Sequence, residues 1–330
     1  MRPRCPEARL RPAERERGAA LLTVLLLVAV IAVIAAGALE KLRLATRLTA
    51  NATGIEQARS FAEAAEVLAV SRVDALLGPN PTRVSLAGGW SNAPFSLPLP
   101  GGVAVARVTD GGNCFNLNGL VTTLAPGVYQ TKPEARATFA RLMRLLQVPA
   151  QIADQVSAGA ADWIDTDADQ QANGAEDGAY TGQDPAYRTA GTLMRDPSEL
   201  RAVAGVTPDL YAQLKPWLCT LPVAAPAPIN VNTLLPEQAP LVAALAPDTL
   251  PVSAVQAALL RRPAAGWDGI GQFTALLPAA DLSGGQAGVT STWFRLRVDV
   301  TANGATVQET ALIDATRLPA ALVARQWGEE

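Results

Sequence analysis

The stretch from Glu14 to Lys41, ERERGAALLTVLLLVAVIAVIAAGALEK, changes character at a single residue. Charges crowd the chain up to Arg17, Gly18 follows, and from Ala19 to Leu39 there is no charged side chain. An uncharged apolar run of about 20 residues spans a bilayer as a helix. Before it, six arginines (Arg2, Arg4, Arg9, Arg11, Arg15, Arg17) stand against three glutamates (Glu7, Glu14, Glu16). Positive charge of that kind keeps its end in the cytoplasm and sends the remainder across. A secretory signal has a shorter apolar region closed by a small-x-small cleavage site. Ala36-Gly37-Ala38 offers such a site, yet helical spacing runs on past it through Leu42, Ala45, Leu48 and Ala52, then Ala58, Phe61, Ala65 and Leu68. The apolar run therefore reads as the first half of one helix, with 19–39 in the membrane and 40–78 beyond it.

Outward from that helix, composition narrows the function. A chain of 330 residues holds one large or two ordinary domains, and 49% hydrophobic residues describe a globular body. The formal charge is −3 and the 27 Lys and Arg gather into no long basic face, so there is no electrostatic footprint for nucleic acid. Histidine is absent, which excludes Ser-His-Asp and Cys-His catalysis and imidazole metal sites. Val103 to Val108 alternates like a half-buried strand between Gly101-Gly102 and Asp110-Gly111-Gly112. Phe294 to Val300 and Ala305 to Ile313 alternate as well, joined by the hairpin signal Thr301-Ala-Asn-Gly304. Roughly 170 residues between these β blocks read mostly as helix.

The charged prefix, Gly18 and the apolar run together resemble the leader of type IV pilins and type II secretion pseudopilins. In that family a prepilin peptidase cuts after the glycine, here the Gly18–Ala19 bond, and the new N-terminus is methylated. Most members carry glutamate five residues after the cut, where this chain has Thr23. That departure is similar to the minor pseudopilin component K. So are four stretches in order: Phe115-Asn-Leu-Asn118, Ala161 to Asp167 (ADWIDTD), Gly174-Ala-Glu-Asp177 with Tyr180, and Pro228 to Thr233 (PINVNT), along with Ser198-Glu-Leu-Arg201. The resemblance implies an α+β pseudopilin fold: a long N-terminal transmembrane helix plus an antiparallel sheet, with a large α-helical domain inserted between strands. The corresponding segments are 1–18 leader, 79–117 first β part, 118–285 inserted domain, and 286–330 closing strands and C-terminal tail. It also implies a single-pass inner-membrane protein with its C-terminal domain in the periplasm. Its partners would be minor pseudopilins I and J in a heterotrimeric tip complex, the major pseudopilin and the inner-membrane assembly platform. The missing glutamate, which would compensate a neighbour's charged N-terminus, suits a subunit at the filament tip.

From Leu145 to Tyr187 the chain has eight carboxylates (Asp154, Asp162, Asp165, Asp167, Asp169, Glu176, Asp177, Asp184) and no Lys or Arg. Such crowding is repulsive unless water or a cation screens it. Asp165, Asp167, Asp169 and Glu176 reproduce the 1, 3, 5, 12 acid spacing of an EF-hand, but Gln170 stands where that loop needs glycine and no clear exit helix follows. The residues alone leave a solvated acidic loop and a cation loop of another shape side by side. The resemblance implies calcium, with Asp165, Asp167, Asp169, Glu176 and Asp177 as ligands and Asp162 and Asp184 as outside candidates. A glycosidase-like carboxylate pair has no other support, since the acids cluster on one loop.

Thr207 followed by Pro208 opens a helix. Ile229 to Thr233, Leu241 to Leu245 and Ala254 to Arg261 resemble a helix-hairpin-helix module, which raises the alternative of a membrane-anchored periplasmic DNA-binding protein. With only Lys215, Arg261 and Arg262 nearby, the module reads as a packing unit in which Asn230 and Asn232 cap helices or tie down turns. Cys5 lies in the leader. Cys114 and Cys219 remain as a pair for an oxidising periplasm, a disulfide in preference to two buried thiols. Trp90, Trp163, Trp217, Trp267 and Trp293 read as core anchors.

Overall fold

The structure, a computed structural model, describes residues 12–78, 82–246, 250–278, 282 and 285–328, with side chains from residue 19 onward. Arg2, Arg4, Cys5, Arg9 and Arg11 lie outside the described residues, as do the side chains of Arg15 and Arg17. Helix α1 (Pro12–Leu77) runs 66 residues without a break, about 100 Å at helical rise. From Ala19 to Ala52 every residue is exposed, and this part is long and apolar enough to cross a membrane. Thereafter Ala58, Ala62, Ala65, Ala69, Val73 and Leu77 form a buried stripe, with the three- and four-residue spacing of one helix face. The alanines let the helix lie close to a sheet. A Cβ added to Gly54 would sit 3.3 Å from Ala305 Cβ. The stripe of Leu42, Ala45, Leu48 and Ala52 has no partner within the described residues. Gly78 ends α1 in the left-handed region at φ +62°, its N–H donating to Asp74 O.

Under the helix, β1 (Phe95–Leu99) and β2 (Gly102–Asp110) form the start of an antiparallel sheet. The chain then leaves for some 180 residues. It passes through β3 (Phe115–Asn116), the hairpin β4 (Val121–Ala125) and β5 (Val128–Thr131), α2 (Pro133–Leu145), α3 (Ala150–Ile164), α4 (Asp177–Tyr180) and α5 (Pro208–Leu214). It continues through β6 (Leu218–Cys219), β7 (Ile229–Asn230), α6 (Ala239–Ala243), α7 (Val252–Leu260), α8 (Ile270–Thr274) and β8 (Ala287–Gly288). It returns in β9 (Trp293–Ala302), β10 (Ala305–Asp314) and β11 (Ala321–Trp327), completing the order β1-β2-β9-β10-β11. Asn303 and Gly304, both at positive φ (50° and 81°), make the tight turn between β9 and β10. Ala104, Ala106, Leu296, Val298, Val300, Ala311 and Ile313 face α1.

The alternation read for β2, β9 and β10 holds. The edge strands β1 and β11 have no such signal, since Pro98 interrupts one and the other is exposed at most positions. The long excursion is helical as expected but carries a hairpin, β4–β5, and long irregular stretches. Its cores centre on α2–α3 and on α6–α7. Trp163 and Trp267 are buried in them and Trp293 is buried beside Cys114 and Cys219, while Trp90 and Trp217 are half-buried.

Buried asparagines hold the excursion together and, through Asn230, fasten it to the segments that flank the sheet. Asn118 Nδ2 donates to Met194 O and Leu221 O while its Oδ1 accepts from Met194 N. Asn230 Nδ2 donates to Val84 O and Ser291 Oγ, and its Oδ1 accepts from Asn232 N. Asn232 exchanges both hydrogen bonds with the backbone of Trp267. The tying-down role read for Asn230 and Asn232 is what the structure shows. Thr207 caps α5 by accepting from Leu210 N.

Candidate metal centre

Helix α3 is buried nearly all round in its second half, from Val156 to Ile164, as a helix small and apolar on every face must be. It delivers two acids to its own C-terminal end, Asp162 at 1% exposure and Asp165 at 2%. The helix dipole offers carboxylates nothing there. The following loop supplies their partners. Asp162 accepts from Gln171 N and, at 2.8 Å, from Ala175 N. It thereby folds the loop back over the helix end. Gly174 permits the approach: a Cβ there would lie 1.9 Å from Asp162 Oδ2. Asp165 Oδ2 accepts from Thr131 Oγ1 of β5 at 2.7 Å. Thr166 and Tyr129 exchange hydrogen bonds beside it, so the β4–β5 hairpin holds the loop's first residues. Trp163, Tyr180 and Tyr187 form an aromatic cluster beneath its exit.

The fold brings Asp165, Asp167 and Glu176 together, with one carboxylate oxygen from each within 4.8 Å of the others. Asp165 Oδ1 and Glu176 Oε1 are buried and have no hydrogen-bond partner among the described residues. Burial pushes the Asp165 carboxyl up to about 6; the Thr131 bond opposes this, and the charges of Asp167, Asp162 and Asp169 reinforce it. Burial, with Asp162, Asp165 and Asp167, pushes Glu176 up to about 7. Asp162 is raised too, by burial first, against the pull of its two backbone donors. Three converging carboxylates, two of them with orphaned oxygens, and no nitrogen or sulfur donor among them fit a hard divalent cation that takes oxygen ligands.

The other ligand candidates have different positions. Asp169 is exposed and its N–H donates to Asp167 Oδ1, shaping the turn. Asp177 is the first residue of α4 and is held by Thr189 and Arg188, which keep its carboxyl below the usual range. Asp184 is exposed. Sequence reading placed Asp162 at the margin, yet it organises the loop. It passed over Thr131, which lies 34 residues upstream on another element with no local signal.

The inserted domain is closed by a disulfide between Cys114 and Cys219, whose Cα atoms are 5.8 Å apart. Cys219 lies in β6 and not at a helix end, and β6 pairs with β3 just after Cys114.

Comparison with known proteins bears on this architecture. Two family models, both described as "Type II secretion system (T2SS), protein K", match residues 113–223 and 229–294. The first begins at the disulfide's entry and contains the whole acidic loop. The chain belongs to the type II secretion system protein K family. Among protein K relatives, the one from Pectobacterium carotovorum subsp. carotovorum is 33% identical, covering 95% of this chain and 97% of its own. That of Aeromonas hydrophila is 36% identical over 80% of this chain and 81% of its own. A chain of the solved GspK-GspI-GspJ complex from enterotoxigenic Escherichia coli superposes with a TM-score of 0.73 at 32% identity. The match covers 83% of this chain and 97% of that one. The protein K fold, with its apolar helix, antiparallel sheet and inserted domain, is thus this chain's fold. Protein K is a component of a secretion machine, and nothing in these likenesses favours DNA binding. Arg262, one of the three bases beside the supposed module, is committed internally to Val231 O and Leu234 O.

Proposed function

We propose that this protein K is the tip subunit of a periplasmic pseudopilus. In that role it assembles with I- and J-type minor pseudopilins, in contact with the major pseudopilin and the assembly platform, to support export of folded proteins. Prepilin peptidase would cut at Gly18–Ala19, leaving 19–39 in the inner membrane and the head in the periplasm, with no enzymatic step of its own. The observation that carries this is the likeness to the chain in the GspK-GspI-GspJ complex, joined to an apolar helix exposed along its whole first half. Thr23 supports the tip position. Its side chain is neutral and offers no charge to a subunit stacked above, and its hydroxyl donates to Ala20 O at 2.8 Å. The test is co-purification of the tagged full-length chain, in detergent, with the I and J pseudopilins of its own system. A discrete stoichiometric complex is expected; isolation as a lone chain overturns the reading. N-terminal sequencing of the mature protein should begin at Ala19, and a start at Met1 or beyond Gly37 rules out the pseudopilin processing.

We further propose that calcium is held by Asp165, Asp167 and Glu176, with Asp169 and Asp177 within the same loop. The supporting observation is the pair of buried, unpartnered oxygens on Asp165 and Glu176. Calcium titration by calorimetry, with Asp165→Asn as control, tests it; equal heats for the two proteins would remove the site.

A further inference from the structure

The second cluster of buried acid in this molecule lies far from the loop, between α1 and the closing strands. Glu309 of β10 alternates onto the sheet face that packs against α1 and is 1% exposed. Neither of its carboxyl oxygens has a hydrogen-bond donor among the described residues. Its neighbours on β9 in that face are Leu296, Val298 and Val300, all apolar. Opposite, α1 presents Glu66, 6% exposed, with Glu63 one turn away. From β11, Arg325 reaches between them. Its Nε and Nη2 take the two oxygens of Glu66, each at 2.5 Å. Its Nη1 meets Glu63 at 3.4 Å, and its Nε lies 3.6 Å from Glu309 Oε1. Of the nearby charges on α1, Arg72 lies over the Phe95 ring. Arg59 pairs with Glu56 and stacks on Trp327, and Asp74 accepts from Ala320 N.

We propose that Glu309, Glu66 and Arg325 form a proton-dependent clamp that fastens the C-terminal edge strand β11 to the periplasmic half of α1. One guanidinium satisfies one buried carboxylate, and it is spent on Glu66. The second buried acid is accommodated only as the neutral carboxyl, which then donates its O–H to Glu66 and leaves the trio with no net charge. Ionising Glu309 places two buried carboxylates against a single cation, and a buried charge without its own partner is strongly destabilising.

The titration behaviour agrees with that geometry. Burial, then the hydrogen bond and charge of Glu66, push Glu309 up to about 8. Burial works against ionised Glu66, but the bonds from Arg325 and Glu309 and the charge of Arg325 outweigh it and hold Glu66 below its ordinary value. The signs follow. A raised carboxyl contributes stability that is full below its unfolded value and declines as pH rises toward about 8. The depressed Glu66 acts the other way, and its contribution is lost only as pH falls below the ordinary carboxylate range. Between about pH 5 and 8 the clamp therefore loosens steadily as protons leave.

Hydrogen exchange of the full-length chain in detergent, corrected for intrinsic rates, tests this. Protection of the β11 amides should fall by up to about tenfold per pH unit from pH 5 to near 8, then level off, as release of a single proton dictates. In Glu309→Gln, a neutral isostere that can donate to Glu66, β11 protection should be flat across that range and exceed wild type at pH 8. Parallel profiles for the two proteins overturn the proposal, because a purely packing role moves protection equally at every pH. The carbon-13 carboxyl resonance of Glu309 in the wild-type chain decides the matter even if the variant fails to fold. A midpoint well above 6 supports the clamp, and an ordinary midpoint near 4.5 sinks it.

Discussion

At the scale of single residues, the acidic loop depends on a glycine as much as on its acids. The hydrogen of Gly174 faces Asp162 Oδ2, and Asp162 in turn accepts the N–H groups that close the loop. Gly174→Ala should destabilise the chain by about 2 kcal/mol, from the clash and the loosened buried carboxylate, read by urea unfolding. Asn230 offers a comparable test at the junction of the two cores. Asn230→Ala strands Val84 O and the Asn232 N–H without their bonds and leaves Ser291 Oγ with Asp110 alone. Unfolding should become easier by roughly 3 kcal/mol, since buried polar groups are left unpaired. The asparagines of PINVNT were visible as a motif; that they grip Val84 and Trp267 was not, because those partners come from other elements.

At the scale of elements, α1 divides by its side chains and not by its backbone. From Ala19 to Leu39 it offers an uncharged, largely apolar surface, and from Ala58 to Leu77 it lays a stripe of mostly alanine on a sheet. The inserted domain depends instead on closure. The Cys114–Cys219 bridge spans 105 residues and sits beside Leu221, Ala227 and Trp293, where the excursion leaves and rejoins the sheet. In the chain-entropy picture, opening a loop of that length costs roughly 4–5 kcal/mol. The Cys114→Ser, Cys219→Ser double variant should lose about that much in denaturant unfolding. It should show the same far-ultraviolet spectrum when folded, because the helices are packed by their own cores.

At the scale of the whole molecule, the ionic state of the loop should register in global stability. Asp165 and Glu176 titrate near 6 and 7 without metal, above their ordinary values, so the chelated protein binds protons more tightly folded than unfolded. In chelator, these two acids should therefore add roughly 2–3 kcal/mol of stability as pH falls from 7 to 5, with solvent screening at the partly exposed Glu176 discounted, on top of the rise from Glu309. With saturating calcium the loop's own share should reverse, because protons then compete for the ligand oxygens, while the rise from Glu309 is common to both conditions. Thermal unfolding at the two pH values, with and without calcium, checks this through the difference between the two conditions, in which the Glu309 contribution cancels. Much of the protein was readable in its sequence alone: the apolar half of α1, strands β2, β9 and β10, the Asn303-Gly304 turn and the crowding of acid near Asp165. Each of these is a local pattern, set by the helix or strand period, by turn chemistry or by near neighbours in the chain. Only the tertiary structure decided which acids converge, that Thr131 belongs to their site, that β1 and β11 complete the sheet, and that Glu66, Glu309 and Arg325 meet. Those groups stand as far as 259 residues apart, and what joins them is the packing of one element on another, to which no short-range periodicity points.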